Sequence, residues 1–122
     1  MKKTMLMLAG VAVVVLVGGS PAVPQQKKTL AVVVKGLDNP FFTVLGNGCE
    51  LWNKENPKSE YKCLYTGPAS SADEAGEVRI VEDLINSGVA GIAISPSNAP
   101  AMANMLKAKK PTMPIMTIDA DL

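Results

Sequence analysis

Two aspartates near the end of the chain, Asp119 and Asp121, are the side chains best suited to chemistry. They follow the apolar run 114–118. Because side chains alternate along an extended strand, this spacing predicts that both carboxylates project to the same side. Such a pair can accept hydrogen bonds from ligand hydroxyl groups, or it can hold a metal ion or act in phosphoryl transfer. A solvated loop with one aspartate capping a following helix would need none of these roles, and the residue types leave the alternatives open.

Four further candidates, Asn39, Phe41, Phe42 and Ser95, each lie just after another apolar run. Asn39 precedes a proline and is expected to cap the first helix. Phe41 and Phe42 are adjacent, so one can enter the core while the other covers a crevice. A flat apolar ring there suits the C–H side of a sugar. Ser95 is free to reach the same crevice.

Four apolar runs separated by helical segments predict an α/β fold. The runs are 30–34, 61–65, 91–94 and 114–118. Near-continuous apolar strands that alternate with helices are typical of a doubly wound parallel sheet, here in the order β-α-β-α-β-α-β. We predict the strand order 2-1-3-4, with the first helix on one face and the other two helices on the opposite face. Ligands of such sheets bind at the carboxyl ends of the strands, where the candidate residues converge.

The ends of the helices are predicted from capping residues. The first helix is expected to run from Pro40 to about Glu55. Ser71 and Glu74 have the spacing of a capping box at the start of the second helix, and Gly88 terminates that helix. Asn98 is expected to cap the third helix. The solvent face of the second helix is expected to comprise Glu77, Glu82 and Asp83.

Two cysteines, Cys49 and Cys63, fall in the first helix and the second strand. They can face one another across the helix–sheet interface, and a disulfide is chemically allowed in an exported protein. Two buried free thiols would pack equally well as small apolar side chains. The sequence leaves the choice open.

Residues 1–22 have the layout of a secretory signal peptide. Two lysines precede the apolar stretch 5–17, and small residues follow in 18–22. The apolar stretch is shorter than the roughly 20 residues of a membrane-spanning helix. We therefore expect export without stable membrane insertion, with residues 23–28 as a polar lead-in and 29–122 as the α/β unit.

Signal cleavage is predicted after Ala22, because Ser20 and Ala22 supply the small side chains of a processing site. Mass spectrometry of the expressed product should find the mature N-terminus at Val23 or within a few residues of it. An intact Met1 on a cytoplasmic product would contradict export.

Charge and residue types argue against several function classes. The formal net charge is +1, and loss of the signal peptide with its two lysines makes it weakly negative, so we expect no nucleic-acid partner. The sequence contains no histidine, the usual general base near neutral pH. It also lacks a CxxC metal motif, a dinucleotide fingerprint and a phosphate-binding loop. These absences disfavour an enzyme and predict no metal or cofactor.

Three motifs in order carry a resemblance to a known family. Residues 33–42, 81–85 with 91–96, and 114–119 are similar to successive elements of periplasmic sugar-binding proteins of the ribose-binding type. The resemblance implies a fold of two lobes joined by a hinge, in which 29–122 form an incomplete first lobe. It also implies a periplasmic protein that binds a small sugar and delivers it to an ABC-type permease, with a chemoreceptor as a further partner.

The same resemblance implies a role for individual residues. The family's turn asparagine falls on Asn39, and its ring-stacking aromatics fall on Phe41 and Phe42. The polar residue after its third strand falls on Ser95, and its sugar-binding aspartate falls on Asp119.

Two departures from the ribose pattern bear on the choice of sugar. Ala120 stands where ribose binders have arginine. The turn 65–68 and the Asp119-x-Asp121 end are more similar to the rhamnose- and autoinducer-2-binding branches, which implies a ligand-binding role for Asp121 as well.

Two other classes of protein compete with this interpretation. One is an α/β enzyme in which Asp119 and Asp121 are catalytic or metal-binding carboxylates. The other is a free-standing flavodoxin-like interaction domain. A second α/β lobe encoded downstream of Leu122 would favour the sugar-binding protein over both.

Overall fold

A computed structural model describes residues 25–122 of the chain, so the predicted signal peptide and its cleavage site lie outside the described residues. The elements are β1 (Lys28–Val33), a 3₁₀ turn (Pro40–Phe42), α1 (Thr43–Glu55), β2 (Tyr61–Thr66), α2 (Glu74–Asn86), β3 (Gly91–Ile94), α3 (Ala99–Lys109) and β4 (Ile115–Thr117). Strands and α-helices alternate throughout, as the apolar runs predict.

The four strands form one parallel sheet in the order β2-β1-β3-β4, which confirms the predicted topology. Strand β1 pairs with β2 on one side and with β3 on the other, so Leu30 has both Cys63 and Gly91 as register partners. Strand β4 pairs only with β3 among the described residues, and Ile94 is in register with Thr117. All four carboxyl ends therefore lie along one edge of the sheet.

Helices α2 and α3 cover one face of the sheet and build the main core with it. Its buried members are Ala31, Val33, Val81, Ile92, Ile94 and Met102. The strand residues in this set share one face of the sheet because they alternate with neighbours whose side chains point to the opposite face. Among residues 25–122, no helix combines the length and the apolar content that a bilayer-spanning segment needs.

Helix α1 packs on the opposite face, against β2. A disulfide joins Cys49 of α1 to Cys63 of β2, with the Cα atoms 5.2 Å apart, and this decides between the two alternatives for the cysteines. Gly46 lies so close to β2 that an added Cβ atom would stand 3.0 Å from the ring of Tyr65. The helical glycine thus permits close packing of α1 on the sheet.

Two predicted helix starts are wrong in detail. The segment that follows Asn39 begins as a 3₁₀ turn and becomes α-helical only at Thr43. The N-cap of α2 is Asp73, whose side chain accepts a hydrogen bond from Gly76 N at 2.8 Å. Ser71 does not cap α2, because its hydroxyl and its backbone N–H both donate to the carboxylate of Asp38.

The predicted solvent position of Glu77 is also wrong. Its side chain is fully buried between α2 and the loop that follows β3. Glu77 Oε2 accepts hydrogen bonds from Ser97 N, at 2.8 Å, and from Ser97 Oγ. Two donors from the loop outweigh the usual preference of a carboxylate for water.

Candidate functional site

The carboxyl ends of β1, β3 and β4 bring three polar side chains together. Lys35, Ser95 and Asp119 follow these strands in that order. Lys35 Nζ donates a hydrogen bond to Asp119 Oδ2 at 2.9 Å. The buried Ser95 hydroxyl donates to the same oxygen at 3.3 Å. The carboxylate that follows β4 therefore receives one donor from the end of the adjacent strand β3 and one from the end of β1, the strand beyond it.

These donors hold Asp119 in its ionised form. The hydrogen bond from Lys35 lowers the pKa of Asp119 below its ordinary value; desolvation opposes the shift, and the Lys35 charge and the Ser95 hydroxyl reinforce it. The side chain is 37% exposed, and Oδ1 accepts no hydrogen bond from another of residues 25–122. That oxygen is therefore accessible to a ligand hydroxyl group.

The backbone of Asp119 is left-handed, with φ of 68°. Aspartate tolerates this conformation better than most residues, because its short polar side chain can bond locally. Strand β4 has ended at Thr117 by this point, so the alternation of a strand does not govern where Asp119 projects. The left-handed turn instead directs its carboxylate to Lys35 and Ser95.

Phe41 and Phe42 occupy different environments on the 3₁₀ turn. Phe42 is only 2% exposed, whereas Phe41 is 67% exposed. Their ring centroids lie 5.1 Å apart in an edge-to-face arrangement, so the buried ring supports the exposed one. Asn39 caps the turn, since its side-chain oxygen accepts a hydrogen bond from Phe41 N at 3.0 Å.

A groove of about 540 Å³ lies beside Asp119, between the start of α1 and the end of β4. It is lined by Pro40, Phe41, Phe42, Val44, Leu45, Ile118 and Asp119. One carboxylate therefore lies against walls that are otherwise apolar or aromatic. This combination fits a ligand that has hydroxyl groups on one side and C–H groups on another.

Asp121 lies apart from these hydrogen bonds. It is exposed, and its side chain forms no hydrogen bond or ion pair with another of residues 25–122. Within the same part of the chain, no group of three or more potential metal-binding side chains comes together. Of the predicted pair of carboxylates, Asp119 is thus hydrogen-bonded to Lys35 and Ser95, whereas Asp121 is solvated.

The turn after β1 is fixed to the neighbouring loop. Asp38 Oδ1 accepts hydrogen bonds from Ser71 N at 2.9 Å and from Ser71 Oγ at 2.5 Å. These bonds lower the pKa of Asp38. A Cβ atom at Gly36 would collide with both partners, so the close approach of the two loops requires glycine there.

Lys35 is a site residue that the sequence reasoning missed. The predicted strand order contained the signal: strands 1 and 4 flank strand 3, so Lys35 and Asp119 end on either side of Ser95. Opposite charges at those positions indicate an ion pair across the end of the middle strand.

Comparison with known proteins identifies the family to which this chain belongs. A family model described as a periplasmic binding protein domain matches residues 30–122. The ribose import binding protein RbsB of Escherichia coli is 32% identical over 120 residues, which cover 98% of this chain and 38% of that protein. A D-ribose/D-allose-binding protein of Pseudomonas aeruginosa is 30% identical over 82 residues, which cover 67% of this chain and 25% of that protein.

A solved structure agrees with these matches. An ABC transporter solute-binding protein from Burkholderia multivorans superposes with a TM-score of 0.71 at 31% identity, over 79% of this chain and 34% of the other. The fold is that of a solute-binding protein. The chain belongs to the periplasmic binding protein family. It spans 25% and 38% of the lengths of the two relatives named above.

Proposed function

We propose that this chain is the incomplete N-terminal lobe of an exported protein that binds a sugar or sugar-like polyol and delivers it to an ABC-type permease. In this proposal residues 1–22 are the signal peptide, 23–28 a polar lead-in and 29–122 the lobe. The protein acts in the periplasm, and a chemoreceptor is a further partner for the closed, sugar-bound form.

The observation that carries the proposal is the ionised carboxylate of Asp119 beside an apolar, aromatic groove. A carboxylate accepts charge-assisted hydrogen bonds from sugar hydroxyl groups, and these are stronger than bonds between neutral groups. The exposed ring of Phe41 presents an apolar face to the same space. Asp119 would thus bind the hydroxyl groups of a sugar, and Phe41 would contact its C–H face.

Asn39, Phe42 and Ser95 support the two residues that make these proposed contacts. Asn39 caps the turn that carries both rings, and Phe42 anchors that turn in the core. Ser95 donates to Asp119 and orients its carboxylate. Each remains a proposed ligand-binding residue, since closure of a second lobe would bring a sugar against this edge of the sheet.

The names of the relatives favour a sugar. Two of them are described as ribose and as D-ribose/D-allose binders. The Lys35–Asp119 ion pair shows how this site differs from an isolated carboxylate: a sugar hydroxyl group meets a carboxylate oxygen and a neighbouring ammonium group. One hydroxyl group can donate to the carboxylate while a neighbouring hydroxyl group accepts from the ammonium group. We therefore expect a ligand with adjacent hydroxyl groups.

Calorimetric titration of a two-lobed protein that carries this lobe, with a panel of pentoses, hexoses and 6-deoxyhexoses, tests the proposal. We expect one sugar to bind with a clear preference.

An Asp121→Ala variant separates two modes of sugar binding, with and without a contact from Asp121. A large loss of affinity favours the mode in which both aspartates contact the ligand. A small loss favours a ribose-like mode with Asp119 alone. No heat of binding with any sugar would contradict the proposed function.

A further inference from the structure

Among residues 25–122, strand β2 forms one edge of the sheet, and half of its backbone groups point away from β1. Lys28 N bonds Glu60 O at 2.8 Å, and Val34 N bonds Thr66 O at 3.0 Å. In a parallel ladder with this register, the N–H and C=O groups of the even-numbered residues of β2 form the hydrogen bonds with β1. The N–H and C=O groups of Tyr61, Cys63 and Tyr65 consequently face outward. Such an edge is a template on which another strand can add.

The outward groups at the centre of this edge are occupied by the side chain of Asn53. Asn53 Nδ2 donates to Cys63 O at 2.8 Å, and Cys63 N donates to Asn53 Oδ1 at 2.8 Å. Two antiparallel strands exchange the same pair of bonds at each hydrogen-bonded position. The carboxamide has the donor and acceptor of a peptide group, so Asn53 takes the place of one residue of a neighbouring strand.

Two adjoining contacts extend this closure along the edge. Ser59 Oγ accepts a hydrogen bond from Tyr61 N at 3.1 Å. The Cys49–Cys63 disulfide fixes α1 to the strand one turn before Asn53, and this holds the carboxamide in reach of the backbone. Three outward groups of β2, the N–H of Tyr61 and the N–H and C=O of Cys63, are therefore bonded within the chain.

The sequence of β2 shows which partner an open edge would take. Residues 61–66 include two tyrosines and a threonine, carry one charge and contain no proline or glycine. Short segments of this composition pair readily with identical segments. We propose that Asn53 closes the β2 edge against strand addition by a second copy of this chain. This role is independent of the sugar site, which lies at the carboxyl ends of β1, β3 and β4.

Hydrogen exchange of the 122-residue chain, measured by mass spectrometry at low and at high protein concentration, tests the proposal. At low concentration, Asn53→Ala should speed exchange of the Cys63 amide roughly fivefold to tenfold, the effect of one lost hydrogen bond. At high concentration, protection of 58–66 should return in this variant as β2 pairs with a second copy. The unmodified chain should show the same protection of 58–66 at both concentrations.

Lys54→Ala is the matched control, because Lys54 is an exposed neighbour in α1. It should behave as the unmodified chain does. Asn53→Asp keeps an acceptor for the Cys63 amide and adds a charge to the edge. Residues 58–66 of this variant should therefore remain protected from hydrogen exchange at both concentrations, without association of two copies. This second variant decides the question if the alanine variant fails to fold.

Either of two results would overturn the proposal. One is an Asn53→Ala variant whose exchange in 58–66 matches that of Lys54→Ala at both concentrations. The other is concentration-dependent protection of 58–66 in the unmodified chain or in Asn53→Asp. Association through the edge of β4 would change protection near 114–118 in every variant alike, so it cannot imitate the expected result.

Discussion

Replacement of Asp119 by alanine is expected to lower the affinity for the preferred sugar by roughly tenfold to several hundredfold, as expected for one or two lost hydrogen bonds to a charged group. The carboxylate is ionised by Lys35 and Ser95, and one of its oxygens remains accessible. In a cleft closed by a second lobe, water cannot replace the lost contacts. Calorimetric titration of a protein with both lobes measures the change in Kd directly.

Two companion variants show whether the loss comes from the site itself. Asp83→Ala removes an exposed carboxylate on α2 and should leave Kd unchanged. Asp119→Asn keeps the size of the side chain and one oxygen but removes the charge, so its affinity should fall between those of Asp119→Ala and the unmodified protein. Equal sugar affinity in Asp119→Ala and the unmodified protein would show that the site has been assigned to the wrong residues.

The sheet could be predicted because each of its determinants is local or follows a general rule. Apolar runs define the strands, Gly88 and Asn98 mark helix ends, and crossovers between parallel strands are right-handed. Gly88 has the expected left-handed backbone, with φ of 72°, and the Asn98 side chain caps α3 by accepting from Ala101 N at 3.0 Å. The strand order then places the candidate residues along one edge.

The details that sequence could not supply depend on competition between partners that are distant in the chain. Ser71 has the spacing of a helix cap, yet Asp38, 33 residues earlier, offers a charged acceptor for its hydroxyl and its N–H. Asp73 then caps α2 in its place. Local spacing identifies residues able to cap, whereas the tertiary arrangement of the loops decides which one does.

In the candidate site, too, some features follow from local sequence and others depend on residues that are distant in the chain. The position of Asp119 after β4 and the caps at Asn39 and Asn98 follow from local sequence. The ion pair with Lys35 joins residues 84 positions apart and exists only because the sheet aligns their strand ends. Which of two adjacent phenylalanines is buried depends on the 3₁₀ geometry of their turn, and the sequence had suggested an α-helix there.

Glu77 gives rise to the largest expected effect on stability. Glu77→Ala removes the only acceptor that Ser97 N and Ser97 Oγ have among the described side chains, and it leaves these part-buried donors without a protein partner. Hydrogen bonds to charged groups contribute about 1.5–3 kcal/mol each. The second oxygen, Oε1, is buried without a hydrogen-bond partner among residues 25–122, and its desolvation offsets part of that gain. We therefore expect the free energy of unfolding to fall by about 2–4 kcal/mol.

Denaturant unfolding followed by the fluorescence of Trp52, the single tryptophan of the sequence, measures this loss. Glu82→Ala on the same helix is the matched control, since Glu82 forms a half-exposed ion pair with Lys109 and such pairs contribute about 0–1 kcal/mol. Glu77→Gln retains an oxygen acceptor for Ser97 without the charge and should lose less stability than Glu77→Ala. If Glu77→Ala were no less stable than Glu82→Ala, the buried carboxylate would not be what holds the loop after β3 against α2. If Glu77→Gln instead matched Glu77→Ala, the negative charge rather than the acceptor geometry would account for the stabilisation.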